Sequence, residues 1–167
     1  MKLLDGKIAI ITGASSGIGK AAATLFAANG ASAVLVARRQ DQLDLVVAQI
    51  QERGGRALAV VGDVTDERTH HEAVAAAKAT FGGLHIAFNN AGLVGAMKPL
   101  AEIEPREWSD VLAVNLTAAF LGARAQIPAM LEHGAGALIF TGSFVGNSVG
   151  LPGMGPYAAA KAGLLGL

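Results

Sequence analysis

Tyr157 and Lys161 stand four residues apart in the alanine-rich run PYAAAKAG, residues 156–163. On a helix that spacing puts both side chains on one face, about one turn apart. A free phenol titrates near pH ~10 and is a poor proton carrier at neutral pH, but a neighbouring ammonium favours the phenolate. The pair therefore suits proton donation to a carbonyl oxygen and, in reverse, proton removal from an alcohol. Ser143 closes the aliphatic run GALIFTGS, and its hydroxyl could hydrogen-bond a developing alkoxide. Each residue also has an ordinary use: a tyrosine packs with its hydroxyl at a helix rim, a serine turns the chain, and a lysine is solvated.

A second cluster lies near the amino terminus. TGASSGIGK, residues 12–20, follows an aliphatic run directly and carries Gly13, Gly17 and Gly19, with Ser15, Ser16 and Ile18 between them. A glycine-built turn from strand to helix lets backbone amides approach a pyrophosphate, and the helix amino terminus adds unpaired N–H groups and a favourable dipole. A plain packing turn is the alternative for the glycines alone. At the end of the next aliphatic run, VARRQ places Arg38 and Arg39 where an NAD site usually offers an acid to the ribose hydroxyls. Guanidinium groups suit a 2′-phosphate, so NADP is favoured over NAD, with Asp41 as a later source of the missing acid.

The elements that must position these groups follow from the patterning. Apolar runs at 7–11, 32–37, 56–61, 84–89 and 136–142 predict five strands, and helical spacing predicts helices over 17–29, 41–53, 66–81 and about 106–132. Strands this uniformly apolar must be covered on both faces, so the fold class is α/β, a doubly wound, Rossmann-type parallel sheet in a single domain. Asn29-Gly30 and Gly54-Gly55 fall where helices should end in left-handed conformations, and Asp66 falls where a capping oxygen helps. Pro128 is expected to kink or end the last helix. Trp108 and Phe120 are expected to pack, and Glu102, Glu104 and Glu107 to open a helix. His70 and His71 read as a solvated helix face, and His85 and His133 lack the acidic companions of a metal site, so no metal is expected.

Composition narrows the partners. Lys plus Arg and Asp plus Glu both count 13, which removes the electrostatic case for nucleic acid or an anionic membrane. The charged amino terminus fits a buried strand better than a signal peptide, and no stretch reads as a membrane span. Without cysteine a reducing compartment is permitted, and the cytoplasm is the simplest reading.

TGASSGIG at 12–19, Asp63-Val64, NNAG at 89–92, Asn115 in VNL, Ser143 in TGS and YAAAK at 157–161 stand in the order and approximate spacing of one family. In these motifs the chain resembles the classical short-chain dehydrogenases/reductases along its whole length. The resemblance implies an NAD(P)-linked oxidoreductase acting on a small alcohol or carbonyl, often a homotetramer or homodimer. It implies that Asp63 and Val64 flank the adenine and that Asn90, Ala91 and Gly92 line the cofactor. It implies that Lys161 holds the nicotinamide ribose and that Asn115 occupies a helix kink whose carbonyl keeps a water beside the lysine. Members of the family continue through the helix of the tyrosine and add two strands and a substrate-covering segment. The chain is therefore expected to be part of a longer protein, ending after the fifth strand and the start of the next helix. Two other readings stand beside this one: a non-catalytic nucleotide-binding or interaction module, and an NAD-dependent alcohol dehydrogenase.

Overall fold

The structure, a computed structural model, describes residues 2–167. Five strands, β1 (Ile8–Thr12), β2 (Ser32–Ala37), β3 (Arg56–Val61), β4 (Ile86–Asn89) and β5 (Ala137–Phe140), form one sheet in the order β3-β2-β1-β4-β5. Every pairing is parallel, with Ile8 opposite Ser32, Ser32 opposite Arg56, Ala9 opposite Ile86 and Ile86 opposite Ala137. Alternation along the central strands assigns side chains to two cores. Ile8, Ile10, Val34 and Val36 point to one face, where Ala73 and Ala77 of helix α3 (Glu67–Phe81) and Ala129 and Met130 of α5 (Ala118–Leu131) cover them. Ile11, Ala33 and Leu35 point to the other, covered by Ala23 and Ala27 of α1 (Gly17–Ala28) and Leu43, Val46 and Ile50 of α2 (Gln40–Glu52). Sheet order reverses direction at β1, so the crevice between β1 and β4 is the topological switch point where open α/β sheets bind ligands.

The predicted punctuation is present. Gly30 and Gly54 follow helices with positive φ, and Asp66 caps α3 by accepting from the Arg68 N–H; Gly82, which was not predicted, ends α3 in the same way. Glu104 and Glu107 form a reciprocal capping box that opens α4 (Pro105–Leu112), with Pro105 in the first turn. The long predicted helix is in fact three pieces: α4, a π-helical stretch over Ala113–Thr117, and α5. Pro128 does not end α5, which runs on to Leu131. The donor that Pro128 lacks would have served Arg124, which lies on the exposed side where water can replace it.

One further expectation is corrected. Trp108 and Phe120 remain 37% and 48% exposed, because α4 buries only Val111 and α5 buries Ala119 and Gly122 on either side of Phe120. The joined segment Pro105–Leu131 is long and apolar enough, by length and composition, to cross a membrane. Nearly half of its apolar window is buried within the protein, and its Gln126 exchanges two hydrogen bonds with Asn89 of β4, at 2.8 and 3.1 Å. That is the environment of a core helix.

Candidate active site

The carboxyl ends of β1, β2, β3 and β4 open into one groove of about 440 Å³. Gly13, Ser15, Ser16, Arg38, Arg39, Asp63, Val64, Asn90, Ala91 and Gly92 line it, so ten of the predicted binding residues converge there. Gly17, Ile18 and Gly19 belong to the first turn of α1 behind the lining. Glycine is required at two of these positions. A Cβ on Gly13, whose φ is 66°, would come within 3.0 Å of the Cα of Ala91, and one on Gly19 would collide with the Gly13 carbonyl. Ser16 precedes α1 without a side-chain cap, and no acidic residue lies in the first turn. Those features leave the helix amides and dipole available to an anion, so the turn fits a dinucleotide phosphate.

The two arginines differ in their surroundings. Arg39 Nη2 lies 3.2 Å from both Ser15 Oγ and Ser16 Oγ, folded over the glycine turn with only neutral partners. Arg38 faces Asp63 at 3.6 Å. Donation from the Thr65 backbone N–H, at 2.9 Å, holds the Asp63 carboxyl below its ordinary value; burial opposes it, and the Thr65 hydroxyl and Arg38 add smaller lowering effects.

Lys161 lies on α6 (Gly155–Gly163), 5% exposed, and donates to the Thr141 carbonyl at 2.7 Å. Burial pushes its pKa below the usual lysine value. Its Nζ stands 5.6 Å from the centre of the Tyr157 ring, as the four-residue spacing requires. A Cβ on Gly92 would lie 3.8 Å from that Nζ and 2.8 Å from Asn115 Oδ1, so the ammonium and the amide meet the groove at Gly92. Asn115 is buried in the π-helical stretch, where its Nδ2 donates to the carbonyls of Leu93 and Val111 at 2.7 and 2.9 Å and its Oδ1 accepts from the Leu93 N–H at 3.3 Å. The expected interruption of the helix is thus present. Ser143 accepts from the Val145 N–H at 3.1 Å and belongs to a loop that packs on α6 through Gly146 against Ala158.

With this geometry in hand, comparison with known proteins is decisive: the family model described as short chain dehydrogenase matches residues 7–167. The chain belongs to that family. Among relatives, the cyclohexanol dehydrogenase of Acinetobacter sp. (strain SE19) is 39% identical over 163 residues, covering 98% of this chain and 64% of the relative. The A-factor type gamma-butyrolactone 1'-reductase (1S-forming) of Streptomyces virginiae is 39% identical over 165 residues, covering 99% and 64%. Among solved structures, levodione reductase superposes with a TM-score of 0.92 at 34% identity, covering 98% of this chain and 64% of that one. A metagenomic short-chain oxidoreductase in complex with NADP gives 0.91 at 35%, covering 98% and 73%. The chain spans about 64% of the length of these two relatives.

Several residues that hold this short-chain dehydrogenase site together were not predicted. Thr12, at the end of β1, accepts from the N–H groups of Asn90 and Ala91 through its hydroxyl at 2.9 and 3.1 Å, while its carbonyl accepts from Asn90 Nδ2 at 3.1 Å. Thr141 donates to Asn90 Oδ1 at 3.0 Å and offers its carbonyl to Lys161. Both threonines directly precede a glycine at a strand end, in TGA and TGS, which is the signal that could have marked them. His70 is a correction rather than an omission: expected on a solvated face, it is 2% exposed and donates from Nε2 to the Val64 carbonyl at 2.8 Å.

Proposed function

We propose that this protein is an NADP-dependent oxidoreductase that transfers a hydride between the cofactor and a small alcohol or carbonyl compound. The carrying observation is the position of Lys161 at Gly92, which joins the phosphate-binding end of the groove to the helix of Tyr157. Gly13, Ser15 and Ser16 would hold the pyrophosphate, Asp63 and Val64 the adenine side, and Arg38 and Arg39 the 2′-phosphate. When bound, the nicotinamide supplies the hydride or accepts it. Tyr157 donates the proton to the carbonyl oxygen in reduction and takes it back in oxidation; Ser143 orients that oxygen, and Lys161 keeps a positive charge beside the phenol. Asn115 fixes the loop after β4 against the π-helical stretch and so keeps Gly92 open to Lys161.

Substrate would enter between the loops 93–99 and 144–154, which meet where Gly153 packs on the backbone of Met97 and Lys98. Their small and apolar residues favour a modest, mostly uncharged molecule. A cytoplasmic homodimer or homotetramer remains part of this reading. Steady consumption of NADPH with a panel of ketones and aldehydes is the test. Binding of NADPH without turnover of any carbonyl, or of any alcohol with NADP, would replace this reading with that of a non-catalytic nucleotide-binding module.

A further inference from the structure

We infer that His70 is a positioning residue for the adenine-side wall of the groove, acting on Asp63 through the peptide group between Val64 and Thr65. This rests on the reading of the groove as a dinucleotide site. The chain of donors is continuous. His70 Nε2 donates to the Val64 carbonyl at 2.8 Å, and the same peptide group carries the Thr65 N–H that donates to Asp63 Oδ1 at 2.9 Å. Hydrogen bonding to the oxygen of a peptide polarises it and strengthens donation from its N–H. One imidazole proton, placed behind the wall, therefore sets both the orientation and the acceptor strength of a carboxylate on its front.

Three features suit His70 to this task. It sits in the first turns of α3, beside buried Thr69, and cannot swing away from the wall it supports. Its ring must carry hydrogen on Nε2, because a carbonyl only accepts. Burial pushes its pKa below the ordinary histidine value, which keeps the ring neutral near pH 7. Val64 itself lines the groove on one side and, on the other, a small cavity shared by His70, Asn115 and Lys161, so the peptide is free to be moulded from behind. An apolar side chain would fill the same space without supplying the proton.

The test reads Asp63 directly, with no cofactor present. In carbon-detected NMR titrations, the Asp63 carboxyl of H70L should titrate closer to an ordinary aspartate than in the unmodified protein, whereas H70Q, whose amide can donate, should stay near the original midpoint. An unchanged Asp63 midpoint in H70L overturns the coupling whatever the groove binds. For binding, the NADPH dissociation constant should rise about tenfold in H70L and less than threefold in H70Q, with kcat at saturating cofactor little altered. H70L and D63N should combine non-additively; an effect equal to the product of the two singles overturns the route through Asp63. If the unmodified protein shows the Asp63 coupling but binds no NADPH, the dinucleotide reading fails instead. Should H70L not fold, nitrogen spectra of the unmodified ring decide: a neutral ring protonated at Nε2 is expected, and one protonated at Nδ1 overturns the proposal.

Discussion

Replacing Arg39 by alanine separates the two nicotinamide cofactors in a way the structure makes quantitative. The Arg39 guanidinium touches only the hydroxyls of Ser15 and Ser16, so among the described residues no carboxylate offsets its charge. The Arg38 charge is shared with Asp63 at 3.6 Å, and its side chain is 74% exposed. A hydrogen bond to a charged group contributes about 1.5–3 kcal/mol, and solvent at the groove mouth argues for the lower half of that range. R39A should therefore weaken NADPH binding by about 10- to 30-fold and leave NADH within about twofold, since each 1.4 kcal/mol is a factor of ten. R38A should cost less, about threefold, because the Arg38 charge is already partly neutralised by Asp63 and screened by solvent. Fluorescence titration of both cofactors at low and high salt is the assay. The difference between them should shrink near 1 M salt, where the screening length falls to about 3 Å. Equal losses for NADPH and NADH in R39A, or no loss for either, would refute the assignment of Arg39 to the 2′-phosphate.

Other expectations are narrower. Y157F should lower turnover by about 10²–10⁴ while the NADPH dissociation constant stays within about twofold; stopped-flow and equilibrium titration together check it, and retained turnover removes Tyr157 as proton donor. G19A should destabilise the fold by about 1–3 kcal/mol in urea and abolish cofactor binding, because its methyl meets the Gly13 carbonyl. Acid should destabilise the protein through two histidines. His85 Nδ1 accepts from the Ile8 N–H at 3.2 Å only while unprotonated, and burial lowers the pKa of both His85 and His70. The unfolded chain then binds more protons, so this stability is complete above about pH 6.5 and is lost as pH falls towards the folded values. Thermal melts at pH 7.5 and 5.5 should show the drop, and H85N should flatten it. Lys161 gives the opposite handle. Cofactor hydroxyls at its ammonium would favour the charged form, so NADPH affinity should fall as pH rises through its lowered pKa, a dependence lost in K161M.

Much of this arrangement was legible because it depends on local rules. The bounds of β2 and β3 follow from aliphatic runs, the helix ends from glycine and the Asp66 cap, and the Tyr157–Lys161 relation from helical spacing alone. What escaped depends on which way a side chain faces after packing. Thr69, His70, Ala73 and Ala77 form one buried stripe on α3, so a polar residue there is carried inwards by the alanines that share its face. Read for polarity, His70 looked solvated; read for period, it falls at i relative to Ala73 at i+3 and Ala77 at i+7. Pro128 does not end α5 because the cost of a proline depends on where the orphaned carbonyl lies. Burial of Thr12 was invisible because its partners, Asn90 and Ala91, arrive from 78 and 79 residues away.

The residues behind the groove share a physical design. Thr12, Asn115, His70 and Lys161 are all buried, and each is anchored to backbone groups rather than to a carboxylate. A buried ion pair here would have cost desolvation on both partners and would have spent its field inside the protein. Side-chain to backbone bonds instead fix the wall geometry while leaving charge available at the surface of the groove. Lys161 shows the consequence most clearly. Its one protein acceptor is the Thr141 carbonyl, so an ammonium with three donors retains two that no group among the described residues satisfies. Desolvation has already been imposed by folding, and a ligand that brings hydroxyl oxygens to Gly92 completes the coordination without paying that cost again. Preorganisation of this kind would convert an unfavourable free state into selectivity for a polyhydroxylated partner, which is what the proposed cofactor site requires of its neutral scaffolding.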